Sequence, residues 1–371
     1  MKVQHLLILL FFLGFSNIVK AQTRYQKSVE VSYEAGSLLG NGKEWSEELN
    51  RIVDYHGIDF KLGWKGLSPK TYQYLYRYPT FGLGFNTALS YYPEVGRPQA
   101  LYMFGEFSIN HHSNFRSFQL SYFFQIGLGF NMNPYDPNLN SINQYIGSNL
   151  NAYVNMGFKV NYRLSDRIQI FSNLGLKHFS NGATKKPNAG INLTPLAFGI
   201  RTVLGKEIKH IPQEVPEITP ISNRTFVNLA VYTGFKNYEI GMPTYFRGGL
   251  GLNYLWAVNY KYNFGFGTDV FIAPGMSERN PSGDFGFLDL MSVGLVSSWE
   301  WKVSQKIYVP IGLGAYLKRN ELNDELTWFY ERIGVRYRFE NDLFAGFQIK
   351  AHKLKADFFE FTIGYTLPVK L

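Results

Sequence analysis

Two side chains that could together cleave an ester lie two residues apart in the segment HFSNG, at residues 178–182. Ser180 becomes a useful nucleophile only when an adjacent base takes its proton, and His178 is the side chain best suited to do so near neutral pH. On a strand, residues two apart point the same way with α-carbons about 7 Å apart, so the imidazole can reach the hydroxyl. The pair therefore indicates nucleophilic catalysis.

The segment that carries the pair has the period of two that is typical of a strand. One row is mainly apolar and ends in His178 and Ser180; it begins with Ile168, Ile170, Leu174 and Leu176. The other row holds Gln169, Asn173 and Lys177 among Phe171, Gly175 and Phe179. We expect the apolar row to face lipid, with the pair at its outer end.

The same alternation recurs along most of the chain. It predicts eight strands before residue 205, near 27–38, 57–65, 80–92, 99–110, 116–132, 149–163, 168–181 and 194–204. Six to eight more follow between 225 and 371, for about 14 to 16 in total. The segment 206–224 contains Pro212, Pro216 and Pro220 and reads as a linker or a long loop. The fold is predicted to be all-β and antiparallel, with strands of one unit in 22–205 and further strands in 225–371.

Composition indicates where this sheet lies. Residues 1–21 combine Lys2, an apolar run and small residues at the end, which is typical of a secretory signal peptide. No later apolar run approaches the roughly 18 residues that a spanning helix needs, so strands must make any membrane crossing. The chain has no cysteine, which excludes disulfides and thiol chemistry. Its net charge of +9 is scattered over an exported chain, which favours anionic lipid headgroups over nucleic acid as partners; the alternative is that these lysines are simply solvated in loops.

Alternation alone does not separate a membrane barrel from a secreted sandwich, but 17% aromatic residues and loops of unequal length favour an outer-membrane barrel. If the chain starts in the periplasm, odd-numbered strands end outside. The long loop 133–149 is then external and the short turn 164–167 periplasmic, although 66–80 would be a long periplasmic exception. The strands could close one larger barrel or two smaller ones, and we favour one, because Pro-containing segments also occur as long loops.

HFSNG, followed by PNAGIN at 187–192, resembles the outer-membrane lipid A 3-O-deacylases of the PagL family. NPYD at 133–136 and IGSN at 146–149 are similar to the longer members called acyloxyacyl hydrolases. The resemblance covers roughly residues 24–205. It implies an eight-stranded barrel that carries a histidine, a serine and a glutamate on its outer surface and removes the 3-position acyl chain of lipid A.

The resemblance implies that His178 is the general base, Ser180 the nucleophile and Asn181 an oxyanion contributor. Asn192 occupies the position of the family's glutamate. An amide can accept a hydrogen bond from the imidazole but cannot offset its positive charge, although cysteine proteases use asparagine in this role. Asn192 shares its face of the next strand with Leu196, Phe198 and Ile200, and we therefore expect it beside His178.

Two further features of the sequence bear on the site. Lys185 and Lys186 either contact lipid A phosphates or form a solvated loop tip. A second match to His-x-Ser-Asn at 111–114 falls at a predicted periplasmic turn, where outer-leaflet lipid A is absent.

The sequence thus predicts an outer-membrane esterase that removes an acyl chain from lipid A of lipopolysaccharide by acyl transfer to Ser180 and then to water. It predicts no cofactor and no metal, and it leaves the oligomeric state open. The alternative is a porin or structural barrel without catalysis, which would have no reason to place His178 on the lipid-facing row.

Overall fold

The computed structural model describes residues 25–68, 70–110, 117–205, 221 and 224–369. The predicted signal peptide, residues 111–116 with the second His-x-Ser-Asn motif, and most of the segment 206–224 lie outside these residues. The described part of the chain folds into sixteen strands, which form two closed antiparallel barrels.

The first barrel contains the eight strands that alternation predicts in this part of the chain, with ends shifted by a few residues. They are β1 (Tyr25–Leu38), β2 (Asp54–Gly66), β3 (Thr80–Ala88), β4 (Gly96–Ser108), β5 (Phe118–Met132), β6 (Asn151–Arg163), β7 (Ile168–Ser180) and β8 (Ile191–Leu204). β8 closes the barrel by pairing with β1, from Lys27 opposite Leu204 to Leu38 opposite Leu193. The strand positions are therefore confirmed.

The second barrel also has eight strands. They are β9 (Thr225–Asn237), β10 (Thr244–Ala257), β11 (Tyr262–Ile272), β12 (Met291–Lys302), β13 (Ile307–Lys318), β14 (Phe329–Arg338), β15 (Leu343–His352) and β16 (Lys355–Val369). β16 pairs with β9 and closes this sheet on itself. The single larger barrel that we favour from the sequence is therefore wrong: β8 is already paired with β1 and has no free edge to offer β9.

Each barrel has an apolar outer wall and a polar interior. In the first barrel, Lys159 Nζ lies 2.7 Å from a Glu30 carboxylate oxygen and 3.0 Å from one of Glu106, and Arg201 pairs with the same two carboxylates. Lys177 is paired with Glu34 in the same interior. The interior of an eight-stranded barrel is just wide enough for side chains to fill. These ion pairs therefore form a packed core rather than a channel.

Odd-numbered strands end at one side of both barrels, which we call the loop end, and even-numbered strands end at the other side, the turn end. In the first barrel the loop end is covered by helix α1 (Glu44–Ile52), the β5–β6 loop (133–150) and the β7–β8 loop (181–190). The Tyr145 hydroxyl lies 2.7 Å from Ser46 Oγ, and the Tyr145 ring packs edge-on against Trp45. This contact joins α1 to the β5–β6 loop.

The turn end carries one long connection, as the sequence indicates for residues 66–80. It contains the short helix α2 (Thr71–Leu75). This connection contacts the second barrel: the Tyr72 hydroxyl donates to Tyr260 O at 2.9 Å, and the Tyr76 hydroxyl donates to Lys302 O at 2.7 Å. Further contacts join the two loop ends. The two barrels therefore lie side by side, with their loop ends at the same side of the molecule.

The second barrel has a short helix of its own, α3 (Met276–Arg279), in the β11–β12 loop. Within the part of the chain that the structure describes, no helix is long and apolar enough to cross a bilayer.

Candidate active site

His178, Ser180 and Asn192 form one hydrogen-bonded chain at the loop end of the first barrel. His178 Nε2 lies 2.8 Å from Ser180 Oγ, and His178 Nδ1 lies 2.8 Å from Asn192 Oδ1. The amide oxygen can only accept, so the proton on the ring must be on Nδ1. Nε2 is then left with its lone pair toward the serine hydroxyl, as a general base requires.

The strands themselves create this arrangement. β7 and β8 are paired in a register that places His178 directly opposite Asn192, and Ser180 follows two residues later on the same row of β7. This row faces outward, since Leu174 is 57% exposed while Lys177 on the other row is fully buried. Ser180 continues the outward row, but the covering loops leave it only 5% exposed.

Gly190 gives the imidazole its space, and sequence reasoning did not single it out. Its φ is +81°, and a β-carbon built on it would lie 2.6 Å from His178 Cε1. Its N–H donates to Tyr145 O at 2.8 Å, which fixes the end of the β7–β8 loop against the β5–β6 loop. The signal available in the sequence was a glycine two residues before Asn192, but its role beside the His178 ring becomes clear only from the fold.

Asn181 is placed beside the pair, and both of its amide protons are already used. Its Nδ2 donates to Ser148 Oγ and to Lys185 O, each at 2.9 Å, while its backbone N–H donates to Asn188 Oδ1 at 3.0 Å. Its Oδ1 accepts from Lys185 N at 3.3 Å. In this conformation Asn181 organises the β7–β8 loop rather than offering a free donor to an oxyanion.

The two lysines of the loop differ in their surroundings. Lys185 is exposed, whereas Lys186 is half-buried toward the second barrel. Burial, together with the nearby ammonium groups of Lys355 and Lys236, lowers the pKa of Lys186. Three ammonium groups thus lie close together at the boundary between the barrels. An anion bound there would be stabilised by them.

Across the described ranges, no three histidine, aspartate or glutamate side chains are grouped so that they could hold a metal ion.

Some solved structures show a distant similarity to the chain. Neisserial surface protein A has 10% identity over 47% of this chain and 96% of its own, with a TM-score of 0.29. The β domain of the Bordetella autotransporter BrkA has 9% identity over 93% of this chain and all of its own, with a TM-score of 0.24. No curated protein sequence matches the chain significantly.

Family models give a more specific result. The model described as lipid A 3-O-deacylase (PagL) matches residues 58–201, and the one described as the C-terminal domain of acyloxyacyl hydrolase matches residues 225–369. The first match contains the site, and the second spans the second barrel. Together with the apolar outer walls, these matches identify an outer-membrane β-barrel protein. The chain belongs to the PagL lipid A deacylase and acyloxyacyl hydrolase family.

Proposed function

We propose that the protein is an esterase that removes an ester-linked acyl chain from lipid A, with Ser180 as nucleophile, His178 as general base and Asn192 as the residue that orients the imidazole. The observation that carries the proposal is the hydrogen-bonded chain from Asn192 through His178 to Ser180, with both distances at 2.8 Å. A serine needs an adjacent base to attack an ester near neutral pH, and a third group usually orients that base.

The reaction has two steps. His178 Nε2 takes the proton of Ser180 as Oγ attacks the ester carbonyl, and the imidazolium then protonates the departing sugar oxygen. Water, deprotonated by the same imidazole, next attacks the acyl-serine and releases the fatty acid. Ser180 and neutral His178 are regenerated, so no cofactor is consumed.

The oxyanion of the tetrahedral intermediate requires donors. Among the described residues, the backbone N–H groups of Gly182 and Ala183 have no hydrogen-bond acceptor, and they follow the nucleophile by two and three residues. We assign the oxyanion role to these backbone groups, because the amide protons of Asn181 are already donated to Ser148 and Lys185.

The outward direction of the β7 row that ends in His178 and Ser180 supports lipid A as substrate. The row is on the outer wall of the barrel, so an acyl chain of a membrane lipid can approach it without entering the interior. Lys185 and Lys186 lie in the loop that follows Ser180, where they can attract the phosphates of the lipid A headgroup.

Mass spectrometry of lipid A tests the proposal. Cells whose outer membrane contains hexa-acylated lipid A should lose one acyl chain when they produce the protein, and Ser180→Ala should leave lipid A unchanged at equal protein level. Unchanged acylation with the parent protein would reject the esterase and leave a structural barrel.

A further inference from the structure

The loop that follows the nucleophile is held by the second barrel. Asn237, the last residue of β9, donates its backbone N–H to Ala183 O at 2.8 Å and accepts from Lys186 N through Oδ1 at 3.1 Å. Thr244, the first residue of β10, donates from Oγ1 to Thr184 O at 3.1 Å. Three hydrogen bonds thus join residues 183–186 to the loop end of the second barrel.

The Asn237 side chain is committed in both directions. Its Nδ2 donates to Met242 O at 2.6 Å and to Pro243 O at 3.1 Å, which fixes the amide to the β9–β10 turn. The residue is only 3% exposed, so water does not replace these bonds readily. One buried amide therefore connects the β7–β8 loop to a turn of the other barrel.

An aromatic contact reinforces this connection close to the nucleophile. Gly182 has a φ of +59°, and a β-carbon built on it would overlap the Phe359 ring of β16. The absence of a side chain therefore lets the ring pack directly on the backbone two residues after Ser180.

The position of residues 183–186 is transmitted to the nucleophile through Asn181. The Asn181 side chain bonds to both the carbonyl and the N–H of Lys185, and Asn181 O accepts from Thr184 Oγ1 at 2.9 Å. A shift of the loop must therefore move Asn181, which is adjacent to Ser180. Misplacement of a reacting group by about 1 Å can cost on the order of 10²-fold in rate.

We infer that the second barrel is part of the catalytic apparatus, with Asn237 as a positioning residue that holds the loop beside Ser180. The inference rests on the proposed function, since it assigns to the second barrel a role in the same reaction. The interior of the second barrel is filled by ion pairs such as Arg332–Asp269 and Lys350–Asp357 and does not itself indicate a function. The role that we infer lies at the loop end of this barrel.

Asn237→Ala tests the inference in the full-length protein reconstituted in mixed micelles with lipid A. We expect kcat to fall by about tenfold to 10²-fold with little change in apparent KM, because the loop is misplaced while the outer wall is intact. Thr244→Val removes one exposed hydrogen bond without threatening the fold, and it should lower kcat in the same direction by a smaller factor.

Tyr76→Phe is the matched control, because it removes barrel–barrel hydrogen bonds at the turn end, where Tyr76 also accepts from Trp301 Nε1 at 2.6 Å. We expect its kcat to equal that of the parent. A loss as large as that of Asn237→Ala would overturn the inference in favour of a general need for barrel association. Parent-like kcat in both loop-end variants would overturn it outright.

A readout without catalysis separates this inference from the proposed function. Trypsin cuts after Lys185, which is exposed in the loop. We expect faster cleavage there in Asn237→Ala than in the parent or Tyr76→Phe, and equal cleavage would contradict the holding of the loop. If the parent fails to deacylate lipid A, the proposed function is rejected while the cleavage rates still report on the loop.

Discussion

At the scale of single residues, the unusual feature is an amide where a carboxylate would stabilise the imidazolium. Asn192 Oδ1 lies 2.8 Å from His178 Nδ1, which gives orientation and the correct tautomer. It provides no compensating charge, so on the proposed mechanism the imidazolium that forms during attack is stabilised less than in a triad with an acidic member.

Substitution of Asn192 separates orientation from charge. Asn192→Ala should lower kcat by roughly 10²- to 10⁴-fold, the range for positioned acid–base partners. Asn192→Asp keeps the length of the side chain and should raise kcat, because a carboxylate stabilises the imidazolium. Deacylation rates in mixed micelles measure both effects.

Asn149→Ala is the control for this pair, since Asn149 accepts a hydrogen bond from Asn131 N in the same set of loops and does not bond to His178. Its rate should match the parent. Parent-like turnover of Asn192→Ala would show that Asn192 is a turn residue and that the site is a Ser–His dyad.

The sequence could predict that these three residues lie together, because strand periodicity fixes their positions, while their catalytic roles stay a prediction. His178 and Ser180 lie two apart on one row, and Asn192 shares the outward face of the next strand. The position of Gly190 beside the imidazole and the hydrogen bonds of the Asn181 amide could not be predicted. Both depend on how the β7–β8 loop folds over the strand ends. Periodicity carries no information about such loops.

At the scale of elements, the β7–β8 loop places positive charge next to the proposed nucleophile at the end of β7. Lys185 is exposed, and Lys186 lies near Lys355 and Lys236 of the second barrel. A headgroup phosphate bound there would contact the loop that directly follows the proposed nucleophile, so the loop would both recognise the headgroup and order the reacting group.

Neutralisation of these charges should weaken substrate binding. Lys185→Gln and Lys186→Gln together should raise apparent KM, by about fivefold for each charge if each contributes about 1 kcal/mol. The increase should shrink as salt is added, since screening already weakens the parent. Lys70→Gln makes the same charge change at the turn end and should leave KM unchanged; an equal effect there would argue against a local phosphate site.

At the scale of the whole molecule, the chain forms two barrels filled by side chains and not the one wide barrel that we favour from the sequence. Alternation located the strands but could not show where a sheet closes, because every strand carries the same apolar-out pattern whichever partner it takes. Closure depends on which strand pairs with β1, and this pairing joins residues far apart in sequence, such as Lys27 and Leu204. The sequence therefore predicted the number of strands better than the way in which the strands divide into two barrels.

The division into two barrels predicts electrical behaviour. Lys159, Glu30, Glu106 and Arg201 occupy the interior of the first barrel, and an eight-stranded barrel is just wide enough for such side chains to fill, which leaves no continuous water-filled channel. Protein reconstituted in a planar bilayer should show no stable porin-like conductance steps, with a sixteen-stranded porin in the same bilayer as the positive control. Stable conductance steps would favour the channel alternative.

The outward direction of the row that ends in His178 and Ser180 has a kinetic consequence. On the proposed mechanism the substrate never leaves the leaflet, so enzyme and lipid meet by lateral diffusion in two dimensions. The relevant concentration is then the mole fraction of lipid A in the surface, not its amount per volume. Dilution of lipid A with an inert amphiphile should slow the reaction, whereas dilution of the whole suspension with buffer should not.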